Sequence, residues 1–372
     1  MIEQKSPRAE PVAPVLEARG LVKHFVVQRT AFGTPRTFAR AVDDVSIKVM
    51  PGETLAIVGE SGCGKSTLGR LLMRLVDPTE GEVFVGGQNV THLSHAAMRK
   101  KRRDVQLIFQ DPYASLNPRM TIAQTIGEPL MLHNVVPAAQ RTQRVMELLE
   151  MVGLRAEQAH RYPHEFSGGQ RQRVVIARAL ASEPKAIVCD EAVSALDVSI
   201  QAQILNLLKD LQARLGLAFV FISHDLGVVK HIADRVAVMY LGKIVELGSA
   251  EMIFEAPRHP YTRALLSAIP IAAPRSGRPR PAAGLQGDLP SPLSPPEGCR
   301  LHTRCPHARP ACQTVSMALD VEPNGHANAC AFWRELPPMD ASASLREPRN
   351  PRLEKLFAAF EALAARPASA QQ

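Results

Sequence analysis

The sequence predicts an α/β fold, a largely parallel sheet covered by helices, with a small lobe appended at its C-terminal end. Three observations predict it. Apolar runs of strand length recur at Leu55–Val58, Val105–Phe109, Ala186–Cys189 and Leu217–Ile222, each followed by a polar or glycine-rich turn. Such runs read as buried strands whose chemistry gathers at their carboxyl ends. One of those turns, Gly59–Ser66, fits the phosphate-loop pattern G-x-x-x-x-G-K-[ST] and is followed by a helical run to Leu75. Residues 121–182 break the alternation, with helical periodicity and no strong strand, and so predict a helical subdomain inserted between strands.

The remaining elements follow in chain order. Residues 1–14 form a proline-rich arm, with Pro7, Pro11 and Pro14 breaking any regular pattern. Residues 15–255 carry the α/β domain, with the helical subdomain at about 112–182. Residues 270–298 are dense in proline and glycine and predict an extended linker. Residues 256–335 form an extension that ends in a cysteine-rich stretch, and 336–372 form a tail. Within that tail, Leu353, Leu356, Phe357, Phe360 and Leu363 share one face of a helix predicted over 351–366.

Composition excludes several classes. With 372 residues, 45% hydrophobic and 22% charged, the chain is long enough and apolar enough to bury a core. No stretch reaches the roughly 18 apolar residues of a membrane-spanning helix. The first 20 residues lack the apolar centre of a signal peptide, which argues against secretion. A net charge of +8 permits anionic partners without selecting one. One Trp and four Tyr are too few for a base-stacking platform. The basic run Arg99–Arg103 sits just before a core strand and reads as a solvated helix face, not a nucleic-acid patch.

The phosphate loop comprises Gly59, Glu60, Ser61, Gly62, Cys63, Gly64, Lys65 and Ser66, with Thr67 following. Its glycines let the backbone wrap a phosphate, and its N–H groups with the helix N-terminus supply positive potential. Lys65 is placed to reach the β- and γ-phosphates and the Ser66 hydroxyl to take a Mg²⁺ position. Cys63 reads as a small loop residue. Ala186–Cys189 leads into Asp190 and Glu191. A carboxylate there can hold Mg²⁺ through water, and its neighbour can polarise an attacking water.

A second anion-binding helix start follows the pattern Phe166-Ser167-Gly168-Gly169-Gln170. One nucleotide does not need two such loops in one chain. Two facing chains do, each completing the other's site. Here the residues resemble the ATP-binding cassette (ABC) ATPases, whose signature is LSGGQ; Phe166 stands in the first place. The resemblance implies a P-loop NTPase cassette, a RecA-like core with an inserted helical subdomain, plus a small Cys-rich C-terminal extension. It implies roles for the other elements in order. Gln110 links Mg²⁺ and the attacking water to the transport domains, Ser194–Asp197 reaches across the dimer, His224 contacts the γ-phosphate and Phe25 lies against adenine. Glu191, His224 and Gln110 are then the catalytic set, and Ser66, Gln110 and Asp190 the Mg²⁺ set. Ala192-Val193 stands where many members have Pro-Thr; neither position supplies a ligand.

The resemblance continues over roughly residues 16–333. Phe254–Thr262 (FEAPRHPYT), Arg161–Gly169 (RYPHEFSGG), Gln110–Arg119 (QDPYASLNPR) and Leu289–Leu293 (LPSPL) are similar to the dipeptide, oligopeptide and nickel importer ATPases. They most resemble the second of the two ATPase subunits of dipeptide importers. That branch implies ATP and Mg²⁺ as cofactors. It also implies a second homologous ATPase, two transmembrane permeases and an extracytoplasmic substrate-binding protein as partners, and a peripheral place on the cytoplasmic face of the bacterial plasma membrane. No direct nucleic-acid binding is expected. Nickel or another small solute is the alternative cargo. A soluble cassette acting on DNA or ribosomes is the remote one, opposed by the single cassette, the lack of a coiled coil and the importer-type extension. Cys299, Cys305, Cys312 and Cys330, spaced C-x5-C-x6-C-x17-C, can hold a [4Fe–4S] cluster in this branch. Four thiolates also suit zinc, with His302, His307 or His326 as substitutes, or the site holds no metal.

Overall fold

The computed structural model describes residues 13–29, 35–268, 285–337 and 339. The helix expected over 351–366 and most of the proline-rich linker lie outside the described residues.

The chain opens with β1 (Leu16–Arg29) and β2 (Pro35–Val49), paired antiparallel. β3 (Thr54–Val58) follows, buried at every position, and the phosphate loop joins it to α1 (Lys65–Leu72). β4 (Glu80–Val85) and β5 (Gln88–Asn89) return to β1, completing a four-stranded antiparallel sheet in the order β2-β1-β4-β5. After α2 (His95–Lys101) comes β6 (Val105–Ile108), then the helical subdomain. Its helices are α3 (Ile122–Leu132), opened by a Thr121–Gln124 capping box, α4 (Arg141–Met151) and α5 (Gly168–Leu180). β7 (Ala186–Asp190), α6 (Val198–Leu215), β8 (Ala218–Ser223), α7 (Leu226–Ile232) and β9 (Arg235–Tyr240) complete the core alternation. Gly216, at φ +66, stops α6 in the left-handed conformation that a side chain would resist.

β3, β7 and β8 are buried along their whole length, which is why they read as continuous apolar runs. Parallel pairing runs through β9-β3-β8-β7-β6. β10 (Lys243–Ser249) adds antiparallel to β9, and α8 (Ala250–Glu255) and α9 (Pro260–Ser267) follow. The C-terminal lobe then donates β11 (Asp320–Val321) and β12 (Ala327–Asn328) to the same sheet, with Glu246 opposite Asn328 and Leu247 opposite Ala327.

Three cores result. One lies between the two sheets around α1, with Leu16, Leu55, Ile57, Leu68 and Leu71 fully buried. A second joins the helical subdomain to β7 and β8. A third packs the lobe's Leu301, Met317 and Ala329 against Tyr240, Phe254 and Tyr261. The basic run proves only partly a solvated face. Arg99 and Lys100 are exposed in the last turn of α2, where cations complement the helix dipole. Arg102 and Arg103, both half-buried, donate to the carbonyls of Arg74 and Ser182.

Candidate active site

The site is built on the carboxyl ends of β3, β6, β7 and β8. Val58 ends β3, the loop curls over Gly59–Gly64, and α1 starts at Lys65. Two glycines are obligatory for contact reasons. Gly59 (φ +154) and Gly64 (φ +107) sit so close to the carbonyl oxygens of Met239 and Ala41 that a Cβ would fall inside 3.0 Å of backbone. Lys65 is buried, and its Nζ donates to the carbonyls of Gly59 (2.8 Å) and Glu60 (2.9 Å). The loop therefore holds its own cation on its inner side.

Ser66, one position on, donates 2.8 Å from Oγ to Oδ1 of Asp190, the last residue of β7. Burial raises the Asp190 carboxyl above the ordinary range, opposed by the Ser66 hydrogen bond and by Arg70. A hydroxyl and a carboxylate are hard oxygen donors, and a partly desolvated carboxylate gains most from a cation, so the pair fits Mg²⁺.

Glu191 follows at φ +50, a left-handed conformation that costs a non-glycine residue about 1–3 kcal/mol. Its N–H donates to Ile222 (3.0 Å), and its carbonyl accepts from the Ser194 N–H (3.1 Å) and hydroxyl (2.9 Å). The strained turn aims the carboxylate between two neighbouring strand ends. Oε2 accepts from Gln110 Nε2 at 2.9 Å, and Oε1 lies 3.2 Å from His224 Nδ1. Lys65 and Ser66, Asp190 and Glu191, Gln110 and His224 thus come from four strand ends. Gln110 engages Glu191, not the Ser66–Asp190 pair.

Of the other expected site residues, Ser167, Gly168, Gly169, Gln170 and Asp197 make no side-chain hydrogen bond to this group among the described residues. Ser167 caps α5 in a reciprocal box with Gln170: its Oγ accepts from the Gln170 N–H and its own N–H donates to Gln170 Oε1. Gly168 and Gly169 form the first turn of that helix, and Ser167 is exposed. Asp197 is exposed at the start of α6 and makes no side-chain cap. Phe25 is 39% exposed on β1, with Lys23 Nζ 5.2 Å from its ring centre. Cys63 is buried, in keeping with a small loop residue.

The expected metal ligands Cys299, Cys305, Cys312 and Cys330 all lie in the C-terminal lobe, none of them in a disulfide. Among the described residues no group of three or more His, Cys, Asp or Glu is placed to hold a metal ion. The thiols share one lobe and disfavour one another's ionisation. Burial above all pushes Cys299 and Cys330 up to about 11. The lobe's described fold comes from its apolar core, its strand pair and a Cys299 N–H to Cys312 carbonyl bond of 2.8 Å.

Sequence reasoning missed the residues that brace the loop from outside. The Glu60 N–H donates to Tyr261 Oη (2.8 Å), and the Glu60 carboxylate takes a two-pronged contact from Arg304 (2.8 and 3.1 Å). Arg304 lies 244 positions from Glu60, so no local pattern could have paired them.

With this geometry in place, comparison with known proteins is decisive. Residues 42–194 match the family described as ABC transporter, and residues 245–312 match the oligopeptide/dipeptide transporter C-terminal region. The oligopeptide transport ATP-binding protein AppF of Bacillus subtilis is 50% identical over 320 residues, 86% of this chain and 97% of that one. The chain belongs to the ATP-binding subunits of ABC transporters. The dipeptide transport ATP-binding protein DppF of Haemophilus influenzae is 50% identical to this ABC subunit over 317 residues, 85% of this chain and 96% of that one. Among solved structures, a dimeric post-hydrolysis state of the ATP-binding cassette MJ0796, bound to ADP and Pi, matches at 30% identity and a TM-score of 0.56. That match covers 63% of this chain and 98% of the cassette.

Proposed function

We propose that this ABC subunit hydrolyses ATP to drive import of dipeptides or oligopeptides, and that Glu191 runs the hydrolytic step. The observation that carries the proposal is the Glu191 carboxylate. It is held by a strained turn between Gln110 and His224, beside the Ser66–Asp190 pair. The names of the relatives support the peptide cargo.

Lys65 and the loop N–H groups bind and neutralise the β- and γ-phosphates. Ser66 and Asp190 would hold Mg²⁺, which when bound offsets negative charge on the phosphoryl oxygens. Glu191 orients a water and takes its proton as the water oxygen attacks the γ-phosphorus and the bond to the bridging oxygen breaks. His224 keeps the Glu191 carboxylate pointed and reaches the γ-phosphate. Gln110 holds the second carboxylate oxygen and relays the state of the site to Tyr113, which is 65% exposed with the Arg171 guanidinium stacked on its ring.

Among the described residues Ser167, Gly168, Gly169, Gln170 and Asp197 make no side-chain hydrogen bond to this group of residues; the Ser167 and Gln170 side chains bond each other. They complete the site of a second cassette, head to tail, and Phe25 packs on adenine. The dimer of the related cassette supports this arrangement. The second cassette is a homologous ATPase, and the pair couples to two permeases fed by an extracytoplasmic binding protein. In this reading the permeases carry the span and the subunit lies on their cytoplasmic face; no helix among the described residues is long and apolar enough to cross a membrane. Neither step depends on a [4Fe–4S] or zinc site at the four cysteines.

Glu191→Gln tests the chemistry. ATP binding stays within about twofold while turnover falls by about 10³; retained turnover removes Glu191 from the role. Uptake of labelled dipeptides, longer peptides and nickel in cells carrying Lys65→Ala tests the cargo. Loss of peptide uptake is expected, and loss of nickel uptake alone overturns the peptide assignment.

A further inference from the structure

We propose that Arg304 of the C-terminal lobe is a positioning residue for the phosphate loop, and that by neutralising Glu60 it sets the loop's affinity for a nucleoside triphosphate. The proposal deepens the ATPase reading above and rests on it.

The loop contains an electrostatic contradiction. It exists to cradle a polyanion, yet its second residue is a carboxylate. An unpaired carboxylate there repels phosphate. Arg304 resolves this with a forked contact, Nη1 to Oε2 at 2.8 Å and Nη2 to Oε1 at 3.1 Å. The Arg304 side chain is 9% exposed and that of Glu60 28%, so water screens the pair weakly. Two parallel N–H···O bonds also fix direction, which a lysine could not do.

Glu60 is gripped at three points. Arg304 holds its carboxylate, Tyr261 Oη accepts from its N–H, and its carbonyl accepts from Lys65 Nζ. Tyr261 is fully buried, its ring 4.7 Å from that of Tyr240. The lobe reaches the loop's other side as well. Arg300 pairs with Asp43 and with the Leu241 carbonyl, and the adjacent Gly242 N–H donates to the Cys63 carbonyl at 2.9 Å. Pairing of β12 with β10 anchors the lobe to the same sheet that ends in the loop. A displacement of the lobe would therefore be felt at Glu60 as an exposed negative charge.

The test uses the full chain, with fluorescent-ATP titration and steady-state ATPase. Arg304→Ala should weaken ATP binding and raise KM about tenfold, equivalent to about 1.4 kcal/mol, with kcat within about twofold. Adding Glu60→Gln to Arg304→Ala removes the bared carboxylate and should recover affinity to within about threefold of wild type. Glu60→Gln alone leaves a cation unpaired beside the loop and should tighten binding about threefold. Arg304→Ala binding like wild type, a double variant as weak as Arg304→Ala, or weaker binding in Glu60→Gln overturns the proposal. Glu60→Gln keeps the lobe's arginine, so it reads the charge effect even if Arg304→Ala folds poorly. The titration decides the pair whether or not the wild type turns over; absent wild-type turnover counts against the ATPase reading instead.

Discussion

Gly64→Ala and Gly62→Ala should separate steric from conformational demands within a single loop. Both glycines have positive φ, +107 and +79, so alanine at either pays backbone strain of about 1–3 kcal/mol. Only Gly64 adds a collision. Its Cβ would fall inside 3.0 Å of the Ala41 carbonyl oxygen and of the Met239 methyl, and Ala41 lies within β2, whose backbone cannot yield cheaply. At Gly62 nothing among the described residues lies within 4 Å. Overpacking of this kind adds about 1–3 kcal/mol. The expected losses are therefore about 4 kcal/mol for Gly64→Ala and about 2 kcal/mol for Gly62→Ala. At about 2–4 °C per kcal/mol, the two melting temperatures should differ by about 4–8 °C. Thermal melts without nucleotide read this, because only the geometry of the free loop enters. Equal shifts, or Gly64→Ala melting within about 1 °C of wild type, would refute the contact argument.

Asp190→Asn should raise the nucleotide-free melting temperature at neutral pH while abolishing Mg²⁺-dependent turnover. The folded carboxyl titrates above its ordinary 3.8, so its ionised form costs stability, and the advantage of Asn should vanish as pH falls back through that range. His224→Ala removes the partner of Glu191 Oε1 and should lower kcat about 10²-fold with KM for ATP nearly unchanged, by steady-state assay. Burial above all, opposed by Glu246 and aided by Arg263, lowers His259 from 6.5 to about 4. The unfolded chain then binds the proton first, so stability present above pH 6.5 should drain away toward pH 4, by about 3 kcal/mol in all. His259→Gln should flatten that slope in melts across the range.

The parts legible in the sequence were those encoded by short spacing. Lys65 and Ser66 follow Gly59 within one loop, and Asp190 and Glu191 end an apolar run, so strand, turn and ligand were readable together. Gln110 and His224 were legible only through the family resemblance; each follows a strand that neighbours β7 in the sheet. The strands β3, β7 and β8 stood out because full burial leaves continuous apolar runs. By contrast, β1, β2 and β4 carry charged residues such as Lys23, Asp43 and Glu82 among their apolar ones, so no uniform run marks them. Pairing of β12 with β10, and of Arg304 with Glu60, depends on distant segments meeting, which no local pattern records. The cysteines are the opposite case. Their clustering in sequence suggested ligands, whereas the lobe is built by burying Leu301, Met317 and Trp333.

The strand pair contributed by the lobe also bears on how the subunit behaves in a crowded cell. Without it, β10 would end the large sheet as a seven-residue, mostly buried strand with free N–H and C=O groups, the kind of edge on which another chain can nucleate. β12 covers the middle of that edge, at Glu246 and Leu247, and the boundary there passes to β11, only two residues long and exposed at both. One of those residues is Asp320, whose charge is matched by Arg334 at 3.4 Å. A short, charged boundary is a poor template for strand addition. Loss or partial unfolding of the lobe would thus do more than loosen a loop; it would uncover an aggregation seam along the cassette's flank.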